Sequence, residues 1–155
     1  MADEVDGPDE ELLAAIHRLG RLMGSRQVSS RLADAAGAEV SQQGVQLLRA
    51  LLRHGELPIA GLAAAAHMDI SAVSRQLRPL EERVLVRRQA AVDDGRVALV
   101  ALTPAGAKLA RRIRQVGLRH LGESLSEWSD RDREQLATLL GRLVDDLQAT
   151  EIGGP

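Results

Sequence analysis

Cysteine is absent from the 155-residue chain, and so are phenylalanine and tyrosine. Without cysteine the protein forms no disulfide, uses no thiolate nucleophile and holds no cysteine-ligated zinc. Because Trp128 is the one large aromatic residue, the core must be filled by Leu, Val, Ile and Ala. No run approaches the roughly 20 apolar residues of a membrane-spanning helix, and the acidic start lacks the apolar segment of a signal peptide. We therefore expect one cytoplasmic domain, residues 1–155.

Motifs for metal binding and catalysis are also missing. The histidines lie far apart without metal-binding spacing, at His17, His54, His67 and His120. Gly-x-Ser-x-Gly, P-loop and dinucleotide-binding motifs do not occur. The sequence therefore predicts no metal, no cofactor, no catalytic residue and no enzymatic activity.

Charge is distributed unevenly along the chain, although the net charge is only −2. Residues 75–119 carry ten Arg and one Lys against four acids, which is a net charge of +7 over 45 residues. Residues 3–11 carry six acids and no base, and residues 120–155 carry eight acids against three Arg. A basic middle between acidic ends indicates a surface for a polyanion, although solvated helix faces would give a similar pattern.

Apolar residues recur at helical spacing through most of the chain. A long first helix is predicted to begin near Pro8 and to continue towards Leu32. A second lies between Ser41, a predicted N-cap, and Gly55, a predicted stop. Two further predicted N-caps open the last two helices, at Thr103 and Ser129.

The outer helices, 9–36 and 104–148, carry more apolar surface than a small domain can cover. A second copy in a two-fold dimer is the simplest partner, so both are predicted to be dimerisation helices. The lobe between them, 41–103, contains two short helices and a tight turn at about 59–85 and a hairpin at about 86–102. The predicted fold class is mainly α with a small β wing: a winged helix-turn-helix plus long N- and C-terminal dimerisation helices.

The helix predicted over 70–85 is the candidate recognition helix. Its buried stripe includes Val73 and Leu77. Small or polar residues remain for the outer face, namely Ser71, Ala72, Ser74, Arg75, Gln76 and Arg78. Arg pairs with guanine and Gln with adenine through two hydrogen bonds in the major groove. This face is therefore predicted to bind DNA, with a merely solvated polar face as the alternative.

Arginines also cluster around the predicted hairpin, at Arg87, Arg88 and Arg96. A thin ribbon with Arg near its tip fits a narrow minor groove. Asp94 would repel phosphate if it faced DNA, so it is predicted to hold Arg96 in place. Arg88, Asp94 and Arg96 join the candidate DNA-binding residues, with an ordinary surface hairpin as the alternative.

Four segments, 71–81, 85–88, 94–96 and 102–106, resemble the multiple-antibiotic-resistance regulator (MarR) family. They read SAVSRQLRPLE, LVRR, DGR and LTPAG, and the resemblance extends over nearly the whole chain. It implies a homodimeric transcription regulator, usually a repressor, on a pseudo-palindromic operator of double-stranded DNA. It also implies one recognition helix in each major-groove half-site and the wings in flanking minor grooves.

Two positions depart from the family pattern. Val84 stands where the family usually has glycine, and a left-handed helix cap is unfavourable for a β-branched residue. The junction between the helix and the wing is therefore expected to differ. Pro79 lies inside the predicted helix and removes one backbone hydrogen bond, which predicts a kink or local loosening over 75–79.

The resemblance also implies a small-molecule effector, in a pocket lined by the first, second and fifth helices. We expect this pocket to be aliphatic, with polar groups from the candidate ligand-binding residues His17, Arg21, Arg49 and His54. The predicted function is a sequence-specific repressor that the ligand releases. Two alternatives remain open: a non-specific architectural DNA binder, and a helical protein-interaction dimer that no longer binds DNA.

Overall fold

The computed structural model describes residues 7–25, 31, 34–37, 39–90 and 98–150. Contacts group the chain into two compact units, Met1–Gly117 and Leu118–Pro155. Several predictions fall outside the described residues: the first helix at Val28 and Leu32, and the wing residues Asp94 and Arg96. Within the described ranges, no helix combines the length and the apolar character needed to cross a membrane.

Helices dominate the described chain. In chain order the elements are α1 Pro8–Met23, α2 Gln42–His54, β1 Leu57–Pro58, α3 Ile59–Ala66, α4 Ile70–Glu82, β2 Val86–Ala90, β3 Ala98–Leu102, α5 Pro104–Ser124 and α6 Asp130–Ala149. The predicted fold class, mainly α with a small β wing, is confirmed.

The first helix begins at a proline and ends before a glycine. Pro8 occupies its first turn, where a missing N–H costs little, and the helix ends at Met23. Gly24 follows as the C-cap and donates its N–H to the carbonyl of Gly20 at 2.8 Å. The helix ends here because glycine favours a helix end, and the predicted continuation at Val28 and Leu32 lies outside the described residues.

The predicted N-caps define the starts of three helices. In each, the side-chain hydroxyl accepts a backbone N–H from three residues further on at 3.0–3.2 Å, and the residues are Ser41, Thr103 and Ser129. Each bond satisfies one of the donors that the first turn of a helix leaves unpaired. These predictions are confirmed. Asp69 takes the N-cap position of α4 but makes no side-chain cap bond.

The sheet has three antiparallel strands in the order β1-β3-β2. Leu57 of β1 lies opposite Val100, and Val86 of β2 lies opposite Leu102. The core of the first unit is aliphatic, as the composition predicts. Its largest fully buried side chains are Leu47, Leu48, Leu62, Leu77, Leu80, Val73 and Val100. Side chains of α4 and of the wing strands therefore pack in one core.

Apolar side chains remain exposed on the outer helices. No residue of α1 or of α6 is buried. The large exposed side chains of α1 are Leu12, Leu13, Leu19, Leu22 and Met23. Those of the second unit are Leu118, Leu121, Trp128, Leu139, Leu140, Val144 and Leu147. These apolar side chains are therefore accessible for contact with another chain.

Candidate nucleic-acid interface

α4 buries one side and presents the other to solvent. The buried side chains are Ala72, Val73, Leu77 and Leu80, and the exposed candidates are Ser71, Ser74, Arg75 and Arg78. Ala72 is only 9% exposed, so its predicted position on the outer face is wrong. It lies one turn from the half-buried Gln76, and the buried side is therefore wider than the apolar pattern indicates.

Gln76 connects α4 to the start of α2. Ser41 Oγ donates to Gln76 Oε1 at 2.6 Å, and Gln76 Nε2 donates to Gln43 Oε1 at 2.9 Å. Both ends of the amide are thus engaged within the protein. This arrangement fits a residue that fixes the rotation of α4 on α2. An adenine contact by Gln76 stays a prediction, since it would require both bonds to exchange.

Two of the candidate arginines are paired with glutamates. Arg78 Nε donates to Glu82 at 3.0 Å within α4, and Arg88 Nε donates to Glu81 at 2.7 Å. Arg75 is exposed and has no ion-pair partner among the residues that the structure describes. It is therefore the candidate arginine of α4 that can reach a base without first leaving a carboxylate.

The pair of Glu81 and Arg88 joins the recognition helix to the wing. A second guanidinium nitrogen of Arg88, Nη2, lies 3.5 Å from Glu81 Oε2. The sequence prediction did not include Glu81. The sequence feature that could have indicated this pair is an acid in the last turn of the helix, seven residues before an arginine on the next strand.

The junction between α4 and β2 contains a left-handed residue. Val84 has φ 56°, so the prediction that it would avoid this conformation is wrong. Its N–H donates to the Glu81 carbonyl at 2.8 Å, and the Leu85 N–H donates to the Leu80 carbonyl at 2.9 Å. These are the two bonds of a Schellman motif, which requires a left-handed residue at this position.

The start of α5 holds that junction in place. Thr103 Oγ1 donates to the Val84 carbonyl at 2.6 Å, and the Thr103 N–H donates to the Leu85 carbonyl at 3.0 Å. A Cβ on Gly106 would lie 1.9 Å from the Leu85 carbonyl oxygen. The LTPAG segment, residues 102–106, therefore packs closely against the turn between helix and wing and is hydrogen-bonded to it.

Pro79 lies within α4, which continues to Glu82. Proline has no N–H to donate to the carbonyl of Arg75, one turn earlier. The helix is not interrupted, and the kink or loosening over 75–79 stays a prediction.

A cleft of about 670 Å³ opens in the first unit, between α2, α3 and α5. Its polar lining residues are Gln46, Arg49, Arg53, His54, His67 and Arg114. Arg49 and His54, both predicted ligand-binding residues, lie in this cleft. His17 and Arg21 lie exposed on α1 and are not among its described lining residues.

The lining of the cleft differs from the expected aliphatic pocket. Its apolar lining consists of Ala50, Leu52, Ala65 and Ala66, and the larger side chains are cationic or polar. Residues of α3 form one wall of this cleft, and no α1 residue is among its described lining residues. The expectation of an aliphatic effector pocket with α1 in its wall stays a prediction. Among the described residues, no three His, Asp or Glu side chains converge as a metal site.

Comparison with known proteins agrees with this geometry. A model of the MarR family matches residues 40–98. The uncharacterized HTH-type transcriptional regulator YxaD of Bacillus subtilis (strain 168) is 36% identical over 97 residues, 63% of this chain and 68% of that protein.

Solved structures share the fold. A MarR family transcriptional regulator from Silicibacter pomeroyi superposes with a TM-score of 0.72, covering 98% of this chain and 100% of that chain at 24% identity. A probable transcriptional regulator from Pseudomonas aeruginosa gives 0.60, covering 84% and 96% at 27% identity. Transcription regulators are not a class of enzyme. The chain therefore belongs to the MarR family and is a transcriptional regulator.

Proposed function

We propose that the protein is a cytoplasmic homodimeric repressor that binds a pseudo-palindromic operator in double-stranded DNA and is released by a small-molecule ligand. The observation that carries the DNA contact is the exposed polar face of α4. Arg75 lies on this face without an ion-pair partner among the described residues. A guanidinium of this kind is suited to guanine O6 and N7 in the major groove.

The other polar residues of α4 fit contacts with the DNA backbone. Ser71 and Ser74 lie exposed in its first turns, where hydroxyls and the helix N-terminus favour phosphate oxygens. Arg78 and Arg88 would exchange their glutamate partners for phosphates when DNA binds. Arg96 and its support Asp94 are proposed, from the family resemblance, to bind the minor groove.

Dimerisation is supported by the exposed apolar side chains of α1 and of the second unit. A second copy would remove that surface from water, and burial contributes about 25 cal/mol per Å² of apolar area. A two-fold dimer also presents two copies of α4, which matches the two half-sites of a pseudo-palindromic operator.

Release by a ligand is supported by the cleft that contains Arg49 and His54. A ligand lowers operator affinity only if it binds more tightly to a conformation that fits the DNA poorly. His17 and Arg21 of α1 are retained as candidate ligand contacts.

Fluorescence anisotropy with labelled DNA from the region upstream of the gene tests this proposal. We expect a saturable complex that survives unrelated competitor DNA and weakens steeply with salt. Arg75→Ala and Arg96→Ala should each cost roughly 1–3 kcal/mol of binding free energy. Arg119→Ala, an exposed site on α5, removes the same charge elsewhere and should retain specific binding.

The same titration separates the alternatives. Equal affinity for all DNA would favour the architectural binder, because specific regulators bind their site far more tightly than random DNA. Absence of binding even at low salt would contradict the repressor and favour the protein-interaction dimer.

A further inference from the structure

The cleft between α2, α3 and α5 collects positive charge. Three guanidinium groups line it, those of Arg49, Arg53 and Arg114, together with the imidazoles of His54 and His67. No carboxylate is among its described lining residues. We infer that the cleft binds a small, multiply charged anion such as a phosphate ester or a polycarboxylate. This inference rests on the proposed function, because it names the chemical class of the releasing ligand.

These arginines lack the partners that other arginines of the chain have. Arg78 and Arg88 each lie within 3.0 Å of a glutamate. No such pair is found for the three cleft arginines in the part of the chain that the structure describes. Arg49 and Arg53 are also four residues apart on α2, a spacing at which like charges repel. An anion with two or more charges would offset this repulsion.

The size and the lining of the cleft fit a small polar molecule. Its volume of about 670 Å³ is in the range of small-molecule sites, roughly 300–1,000 Å³. Guanidinium forks match the paired oxygens of carboxylate and phosphate groups. The described lining contains no Phe, Tyr or Trp, so charge and hydrogen bonds would provide most of the recognition.

The cleft reaches the turn of the helix-turn-helix. His67 is the left-handed C-cap of α3 with φ 50°, and it lies two residues before Asp69, the N-cap of α4. A neighbouring cleft shares Gln46 and His67 and extends to Ala72 of α4. An anion that binds these shared residues therefore contacts the segment that sets the orientation of α4.

Isothermal titration calorimetry of the full chain at constant ionic strength tests the site. The probes are pyrophosphate and citrate, with benzoate as a singly charged aromatic comparison. We expect one of the multiply charged probes to bind at least about tenfold more tightly than benzoate. Arg49→Gln and Arg114→Gln should each weaken that binding by about tenfold.

Two control variants locate the binding. Arg111→Gln removes an exposed charge of α5 outside the cleft, and Arg75→Gln removes one from the recognition helix. Both should leave the affinity for the anion unchanged. Circular dichroism melts of every variant establish that each one folds.

Three results would overturn the inference: no saturable binding of either multiply charged probe, tighter binding of benzoate, or an equal loss of affinity in Arg75→Gln. The last result would assign the anion to the DNA-binding surface. A fourth result would also overturn it: if the cleft variants bind DNA more weakly in the absence of any added anion, the cleft binds a DNA phosphate.

Operator binding separates this inference from the function on which it rests. If the protein binds its operator but no probe binds the cleft, the inference fails and the regulator stands. If the probe binds the cleft without releasing the DNA, the anion site stands and the proposed release fails.

Discussion

Val84 holds a backbone conformation that costs free energy in every residue with a Cβ. Its φ of 56° lies in the left-handed region, which disfavours L-residues by roughly 1–2 kcal/mol. Glycine would remove that cost, and it loses about 0.5–1 kcal/mol through greater freedom in the unfolded chain. We therefore expect Val84→Gly to raise the free energy of unfolding by about 0.5–1 kcal/mol. Urea unfolding at one fixed protein concentration measures the change.

The matched control for Val84→Gly is Ala105→Gly. Ala105 is exposed in the first turn of α5, where the backbone is already helical and glycine brings only its entropic cost. This variant should lose about 0.5–1 kcal/mol. A loss of stability in both variants would mean that Val84 is not strained in the folded protein.

Glu81 competes with DNA for Arg88. Their pair is partly exposed, with side-chain exposures of 31% and 41%, so its removal should change folding stability by less than about 1 kcal/mol. Glu81→Gln frees a cation beside the recognition helix. We expect tighter DNA binding and a salt dependence that is steeper by about one phosphate contact. Anisotropy titrations at several salt concentrations measure both.

Glu39→Gln provides the control for Glu81→Gln. Glu39 pairs with Arg83 at 3.3 Å. Because Arg83 is not a candidate DNA contact, the salt dependence of DNA binding by Glu39→Gln should match that of the wild-type protein. Weaker DNA binding in Glu81→Gln alone would show that the pair positions Arg88 for DNA instead of competing with it.

Elements were predictable where their signals are local in sequence. Ser41, Thr103 and Ser129 cap helices through N–H groups three residues away, and their own short segments carry that signal. The bonds of Gln76 join residues 33 and 35 positions apart. They depend on how α4 packs against α2, which periodicity alone does not determine. The burial of Ala72 was missed for the same reason.

The cleft shows a similar limit of prediction. Arg49 and His54 were predicted as ligand contacts, but the wall that faces them comes from α3 and Arg114. Composition indicated an aliphatic pocket because the chain has so few aromatic residues. Leu, Val and Ala side chains fill the core, and long cationic side chains line much of this cleft.

The contact between α5 and the helix-to-wing junction leaves no room for a side chain at Gly106. A Cβ there would meet the Leu85 carbonyl oxygen at 1.9 Å, so the whole start of α5 would have to move. We expect Gly106→Ala to destabilise the protein by roughly 2–4 kcal/mol. Urea unfolding of the full chain gives the value.

Gly117 tests whether this loss arises from the contact or from the substitution of glycine itself. It lies in the same helix, and a Cβ added there would have nothing within 4 Å. Gly117→Ala should stabilise α5 by up to about 1 kcal/mol. Equal effects of the two substitutions would mean that α5 does not dock on the junction as described.

At the scale of the whole molecule, polar and apolar side chains are exposed on different elements. The first unit buries its aliphatic residues between α2, α3, α4 and the sheet, and it presents the arginines of α4 to solvent. The outer helices α1 and α6 bury no residue. Folding of one chain therefore leaves large apolar side chains of these helices in water, and association with a second chain would bury them.

Leu19 on α1 tests whether a second chain covers these apolar side chains. It is 46% exposed and lies on the same apolar stripe as Leu12 and Met23. Leu19→Glu should leave the single chain folded, because glutamate at a solvated helix position is tolerated. Burial of that carboxylate against a second chain would be unfavourable. Light scattering after gel filtration should then give about 16.7 kDa, whereas wild-type protein should give twice that mass.

Ala14 lies on the opposite side of α1 and is also exposed, so Ala14→Glu adds the same charge and should remain dimeric. Operator affinity should fall by about 100-fold or more in Leu19→Glu alone, since a single chain can occupy only one half-site. A Leu19→Glu protein that remains dimeric would remove α1 from the interface. A monomer with unchanged operator affinity would show that one copy of α4 is enough, and the proposed two-fold recognition of the operator would then be wrong.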